Sequence, residues 1–176
     1  MEQILKVDLN GNTIGIIEKL EAHKTPVLHK AFSVFLINEN KMLIQRRAKN
    51  KYHSSLLWTN SCCSHPRANL TFDESVKNRL YEELGITKQV GLTKLFDFTY
   101  LTKFNDNLFE YEHDTVLVGE YNGEINFNKQ EIEEVEWIDI DILQKQLVTN
   151  PLEFSSWFLI CAPKVIEYLK NKKVDF

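Results

Sequence analysis

A thiol and an imidazole stand two residues apart in Thr59-Asn60-Ser61-Cys62-Cys63-Ser64-His65-Pro66. A free cysteine at an apolar–polar border is most often a small buried hydrophobe, but a positioned thiol can also exchange a proton. Downstream, Glu110 and Glu112 are two apart on a stretch of β character. That spacing aims both carboxylates at one face and Phe109, Tyr111 and His113 at the other. On spacing alone the pair is an ordinary solvated edge strand. Held inward, the two acids repel each other unless a cation neutralises them or one keeps its proton. His23, His29 and His65 each lie in or beside a turn that precedes a structured segment. Each alone is ordinarily a surface or hydrogen-bonded histidine. With the two glutamates they offer nitrogen and oxygen donors suited to a divalent ion, with a position open to water or substrate. Spacing by itself does not show that they converge.

The elements that must position these groups follow from pattern and punctuation. Residues 3–9 and 13–18 form a hairpin around Asn10-Gly11-Asn12, and Lys19 to Pro26 is a polar connecting turn carrying His23. His29 to Ile37 and Met42 to Arg46 bracket a second hairpin turn at Asn38-Glu39-Asn40-Lys41. Residues 47–56 are irregular and basic, with Arg46, Arg47, Lys49 and Lys51 close together. A helix spans 72–84: Thr71 and Glu74 make a capping box, Val76, Leu80 and Leu84 an apolar stripe, and Gly85 a stop. Leu92 to Phe104 and Glu110 to Tyr121 are long β runs joined at Asn105-Asp106-Asn107, and Glu131 to Ile138 is a further strand. A short helix follows at 139–147, and Ser155 or Ser156 caps a last helix running to about 171. Strands outnumber helices without regular alternation, which fits an α+β fold with a mixed-sheet sandwich. With no linker in view, residues 1–176 read as one domain.

Composition narrows the function classes. The chain has 176 residues, 43% of them hydrophobic, enough for one sizeable core. A net charge of −4 gives no face for nucleic acid and no polybasic membrane patch. Neither a signal-peptide h-region nor a membrane-spanning run is present. Three cysteines, two of them adjacent, do not make a disulfide framework, and a reducing cytoplasm is the expected setting.

Through the Cys63–His65 stretch and the residues around it, nearly the whole chain resembles the type 1 isopentenyl-diphosphate isomerases. These are Nudix-fold enzymes that shift a double bond in a five-carbon isoprenoid diphosphate. The resemblance implies a Nudix-like mixed β-sheet sandwiched by helices, with an additional N-terminal hairpin. It implies that His23, His29, His65, Glu110 and Glu112 bind one divalent metal, Mn²⁺, Zn²⁺ or Mg²⁺. Cys63 becomes one proton-transfer group and Glu112 the other, with Tyr100 supporting the acid by hydrogen bonding. Cys62 is expected to be dispensable. Trp157, in Phe154-Ser155-Ser156-Trp157, corresponds to an aromatic face for a carbocation, although a core tryptophan at a helix start is an equally ordinary reading. Lys19, Arg47, Lys51 and Arg79 match positions that contact the diphosphate, where arginine suits bidentate contact and lysine acts as a point charge. Glu83, one turn after Arg79, faces the same way and helps hold a Mg²⁺ that bridges the diphosphate. No flavin is implied. The implied partner is the small isoprenoid diphosphate; the oligomeric state is not legible in the sequence, and a monomer is the default expectation.

The same helix weighs the nearest rival. Nudix hydrolases carry G-x5-E-x7-R-E-U-x-E-E-x-G-U, with U aliphatic. Set on Glu82-Glu83-Leu84-Gly85-Ile86, this chain has Ser64 and Leu70 for the first Gly and Glu, and Asn78-Arg79 for the central Arg-Glu. A degenerate hydrolase would therefore lack an acid of its metal cluster and leave the thiol–imidazole pair unused. Ser54-Ser55-Leu56-Leu57-Trp58 also lacks the Pro-Gly that many relatives carry there. A third possibility is a metal-stabilised binding module without turnover. Structural zinc sites, however, usually prefer closed, cysteine-rich tetrahedra.

Overall fold

The computed structural model describes residues 2–104 and 107–174. The chain opens with β1 (Gln3–Val7), β2 (Thr13–Glu18), α1 (Lys19–Lys24), β3 (His29–Asn38) and β4 (Lys41–Arg47). It continues with β5 (Trp58–Thr59), β6 (Cys62–Ser64), α2 (Phe72–Leu84), β7 (Leu92–Lys103) and β8 (Phe109–Glu120). It closes with β9 (Ile132–Asp139), α3 (Ile140–Thr149) and α4 (Ser156–Val174).

Strand β3 is the hub of one mixed, nine-stranded sheet. It is buried without a break from Ala31 to Ile37, as a strand covered on both faces must be. It runs parallel to β8, setting His29 opposite Glu112, and antiparallel to β6, setting Ser33 opposite Cys63. On its far side β8 pairs with β7, which sets Tyr100 opposite Glu112. The β3–β4 hairpin is paired only near its turn, at Ile37–Met42 and Asn38–Lys41. Beyond that, β4 turns to β5 and β9. The N-terminal hairpin joins the same sheet where Lys6 pairs with His29.

Helices cover both faces. Phe35, Met42, Ile44 and Val116 pack with Leu143 of α3 and Phe158, Cys161 and Val165 of α4. Phe32, Val34, Leu36 and Leu43 pack with Val76, Leu80 and Leu84 of α2. The expected α+β sandwich with an added N-terminal hairpin is what forms. Helix α2 starts on the reciprocal Thr71–Glu74 capping box and ends at Gly85 with φ +68°. A Cβ there would lie 2.6 Å from the Asn126 carbonyl oxygen, so glycine is required on both counts.

Several details depart from the sequence-based expectation. The turn expected over Lys19 to Pro26 is the short helix α1, whose start is capped by the Glu18 carboxylate accepting from Leu20 and Glu21 N–H. Glutamate is outside the usual N-cap set, and six residues show no helical period. At the start of α4 the Ser155 hydroxyl donates to Thr59 Oγ1 at 3.0 Å, tying the helix to β5. The ordinary edge-strand reading of Glu110 and Glu112 fails, since β8 lies between β3 and β7. Of the turn expected at Asn105-Asp106-Asn107, the first two residues lie outside the described residues.

Candidate active site

The thiol–imidazole segment enters the gap where β3 and β4 separate. Ser61 spans that gap, its hydroxyl donating to the Leu43 carbonyl at 2.6 Å and accepting from Leu36 N–H at 2.8 Å. Asn60 Nδ2 donates to the Val34 and Cys62 carbonyls, and Gln45 Nε2 donates to the Ser61 carbonyl. The Asn60 and Ser61 side chains are thus tied to the strands beside them, and the following side chains inherit that rigidity. Cys62 faces the α2 side and is fully buried. Cys63 is partly buried and lines a pocket on the opposite face with Ser64, His65, Glu110, Glu112, Asp114 and Trp157.

Deeper in, the histidines converge. One ligand atom each from His23, His29, His65 and Glu112 lie within 4.8 Å of one another, all four side chains buried. His65 Nε2 is 2.8 Å from Glu112 Oε1, and His29 Nε2 is 3.2 Å from His65 Nε2 and 3.5 Å from Glu112 Oε1. His23 Nδ1–H donates to the Lys19 carbonyl at 2.7 Å and His29 Nδ1–H to the Val27 carbonyl at 2.8 Å. Those bonds leave Nε2 bare on both rings, the arrangement that backbone carbonyls impose on metal-binding histidines. Among the described residues, nothing hydrogen-bonds the buried Nε2 of His23. Bare nitrogens beside a buried carboxylate are a donor set compatible with a divalent cation.

Glu110 stands beside this group rather than within it. It falls within 4.8 Å of His23 and His53, with Oε1 3.1 Å from His53 Nε2. Tyr100 joins the two acids, its hydroxyl 2.6 Å from Glu112 Oε2 and 3.1 Å from Glu110 Oε2. Burial works to raise Glu112, but the His29 and His65 rings that face it hold it well below the usual carboxylate range. Burial and the Glu112 charge push Glu110 well above it. One acid is ionised and its neighbour neutral, which is how two buried carboxylates coexist. Burial, helped by Glu83, Glu110 and Glu112 and opposed by Arg47, raises the Cys63 thiol, so sulfur holds its proton at neutral pH. Burial likewise lowers His65 to about 3 despite its bond to Glu112, keeping the ring neutral.

The expected cationic groups Lys19, Arg47, Lys51 and Arg79 line the same pocket, as does Glu83. Each already has a carboxylate or ring beside it. Lys19 pairs with Glu2 at 3.3 Å, Lys51 with Glu131, and Arg79 with Glu83 at 2.5 Å and Glu131 at 3.5 Å. Arg47 lies over Trp157, with the guanidinium carbon 5.2 Å from the ring centroid. Trp157 is 2% exposed and donates its indole N–H to Asn60 Oδ1 at 3.2 Å.

Sequence reasoning missed His53, Glu131, Gln45 and Asp114, all of which line the pocket. Gln45 bonds Glu83 at 2.9 Å, and Asp114 accepts from Ser33 Oγ at 2.8 Å. Only Asp114 carried a signal, being next in the alternating series after Glu110 and Glu112. The others become site residues only through pairings across the fold.

Residues 27–158 match the NUDIX domain. Among solved structures, a Deinococcus radiodurans protein has a TM-score of 0.75 at 17% identity, covering 93% of this chain and 98% of its own. A MutT protein from Methanosarcina mazei reaches 0.64 at 16% identity, covering 81% and 95%. At that identity these share the fold. The isopentenyl-diphosphate Delta-isomerase of Photobacterium profundum is 38% identical across 97% of this chain and 96% of its own. Isopentenyl-diphosphate Delta-isomerase 2 of Aromatoleum aromaticum is 37% identical across 94% and 87%. Fold, pocket and near full-length similarity agree: the chain belongs to the NUDIX-domain family and, within it, to the isopentenyl-diphosphate Delta-isomerases.

Proposed function

We propose that this isomerase interconverts isopentenyl and dimethylallyl diphosphate with Cys63 and Glu112 as its proton-transfer groups. The observation that carries the assignment is that the protonated thiol and the Tyr100-bridged glutamate pair open on one pocket lined by cationic side chains. Adding a proton to the terminal alkene carbon gives a tertiary carbocation, and removing one from the neighbouring methylene gives the internal alkene. A carbon centre exchanges protons slowly, so the reaction needs an acid and a base held against it. Cys63 and Glu112 take those positions, and the reverse reaction uses the same pair with roles exchanged. Tyr100 steadies Glu112 through its 2.6 Å hydrogen bond. Trp157 offers its ring to the cation and closes the pocket to water.

His23, His29, His65, Glu110 and Glu112 would hold a Mn²⁺, Zn²⁺ or Mg²⁺ ion. When bound, it neutralises the paired carboxylates and fixes their geometry. Arg47, Lys51, Lys19 and Arg79 bind the diphosphate, with Arg79 and Lys51 turning from their carboxylate partners toward phosphate oxygens. Glu83 would hold a Mg²⁺ together with the diphosphate, in keeping with that ion's preference for few carboxylates plus phosphate. Residues 1–176 act as one domain, supported by the pairing of the N-terminal hairpin into the central sheet. A cytoplasmic monomer is the working form.

Proton NMR of the protein with isopentenyl diphosphate and Mg²⁺ in deuterated water tests this reading. Dimethylallyl diphosphate carrying deuterium in its new methyl group, with no phosphate released, is the expected result. Release of phosphate or a monophosphate overturns it in favour of a hydrolase.

A further inference from the structure

We infer that His53 is a positioning residue for the metal centre, holding Glu110 in place by donating its Nε2–H to Oε1. The inference rests on the five-residue metal site proposed above. His53 is 8% exposed, in a loop whose composition otherwise suggests solvent. Its ring is fixed from several sides. It stacks on Phe104 at 4.5 Å between centroids and meets Tyr52 edge-on at 4.6 Å and Trp157 at 6.1 Å. Nδ1 lies 3.3 Å from the Ser54 hydroxyl, and Nε2 lies 3.1 Å from Glu110 Oε1. A neutral imidazole carries one proton. The hydroxyl can donate to Nδ1, which leaves the proton on Nε2, facing the carboxylate.

Glu110 therefore has an anchor on each oxygen: His53 on Oε1 and Tyr100, at 3.1 Å, on Oε2. Once a bound cation displaces its proton, the Glu110 carboxylate offers about four lone pairs, so two anchors leave room for that cation. This explains why Glu110 is turned toward His53 instead of sitting in the tight group of His23, His29, His65 and Glu112. Outer partners of this kind typically change metal affinity about 10- to 100-fold when removed. The arrangement also joins two functions. The ring that anchors Glu110 touches Trp157, so the metal side and the aromatic wall of the pocket share one support.

The test uses metal-stripped full-length protein titrated with Mn²⁺ and followed by calorimetry and pulsed EPR. His53→Phe keeps the ring stacked on Phe104 and removes the donor; His53→Gln restores an N–H. The Phe variant should lose about 10- to 100-fold in Mn²⁺ affinity, the Gln variant should recover most of it, and both should melt like the parent without metal. Pulsed EPR should count three imidazoles on Mn²⁺ in parent and Gln variant alike. Unchanged affinity in the Phe variant, or a Gln variant as weak as Phe, overturns the positioning role. So does a fourth imidazole that disappears in the variants, which makes His53 a ligand. Parent protein that takes up no Mn²⁺ fails the metal site itself, a separate result seen before any variant is made.

Discussion

Cys62 and Cys63 are consecutive yet serve opposite faces of the sheet, one closed in the core with Phe32, Val34 and Leu84, the other open to the pocket. Extended backbone forces that division, since neighbouring side chains on a strand point apart. Cys63→Ala should lower turnover about 100- to 10,000-fold, the range for loss of a positioned proton donor, with little change in melting. Cys62→Ala should turn over normally and lose about 1 kcal/mol of stability for its vacated core volume. Steady-state kinetics with urea unfolding on both variants separates them. Equal loss of turnover would sink the assignment.

Trp157 has two duties that substitution can divide. Its indole N–H holds Asn60 in the wedge, and its ring faces both the pocket and Arg47. Trp157→Phe keeps an aromatic face and loses the hydrogen bond, so it should cost about 1 kcal/mol of stability and leave most turnover. Trp157→Leu removes the face, and a desolvated cation–π contact of about 2 kcal/mol corresponds to a turnover loss of about 30-fold. Assays run well below the melting point of each variant distinguish this from simple unfolding. If Phe and Leu lose turnover in step with stability, the ring is packing alone.

Metal removal should inactivate without unfolding. Both sheet faces have apolar cores independent of the His/Glu cluster. Chelator-treated protein is therefore expected to keep a cooperative melt, at lower Tm. Saturating Mn²⁺ at 100 times its Kd adds about 2.7 kcal/mol back by mass action. A structural site would instead leave a chain without a thermal transition.

The metal-free protein should respond to acid in two stages. Burial holds His53 at about 2 and His65 at about 3, and His23 below its ordinary value. Below pH 6.5 the unfolded chain takes protons that these folded histidines refuse, so each costs stability at up to about 1.4 kcal/mol per pH unit. Glu110 and Asp114 are raised by burial and by the Glu112 charge, so the folded chain holds protons that the unfolded one releases. Their contribution opposes the histidines down to the ordinary carboxylate range. Below about pH 4.5 that opposition fades and the depressed Glu112 joins the histidines. Thermal melts of chelated protein should fall shallowly from pH 6.5 to 4.5 and steeply below. A steep fall beginning at pH 6.5 would mean that Glu110 is not neutral in the folded state.

What the sequence made legible is whatever local rules determine. Thr71, Glu74 and Gly85 delimit α2 by cap chemistry alone, and the period of two puts Glu110 and Glu112 on one face. What stayed hidden depends on partners distant in the chain. Lys19–Lys24 becomes helical through the Glu18 cap and the burial of Ala22 and His23, which no six-residue period reveals. His53 sits in a run that resembles a solvated basic loop until β8 brings Glu110 against it. Lys51 and Arg79 read as free cations, whereas Glu131 pairs with Lys51 and Glu83 with Arg79.

Arg79 carries the last consequence. It stands where the Nudix hydrolase signature keeps an acid, and its guanidinium binds Glu83 at 2.5 Å and Glu82 at 2.7 Å. A cation planted there takes the place of an acid that would help assemble a hydrolytic metal cluster. The phosphoanhydride can thus rest against a scaffold built to break it and leave intact.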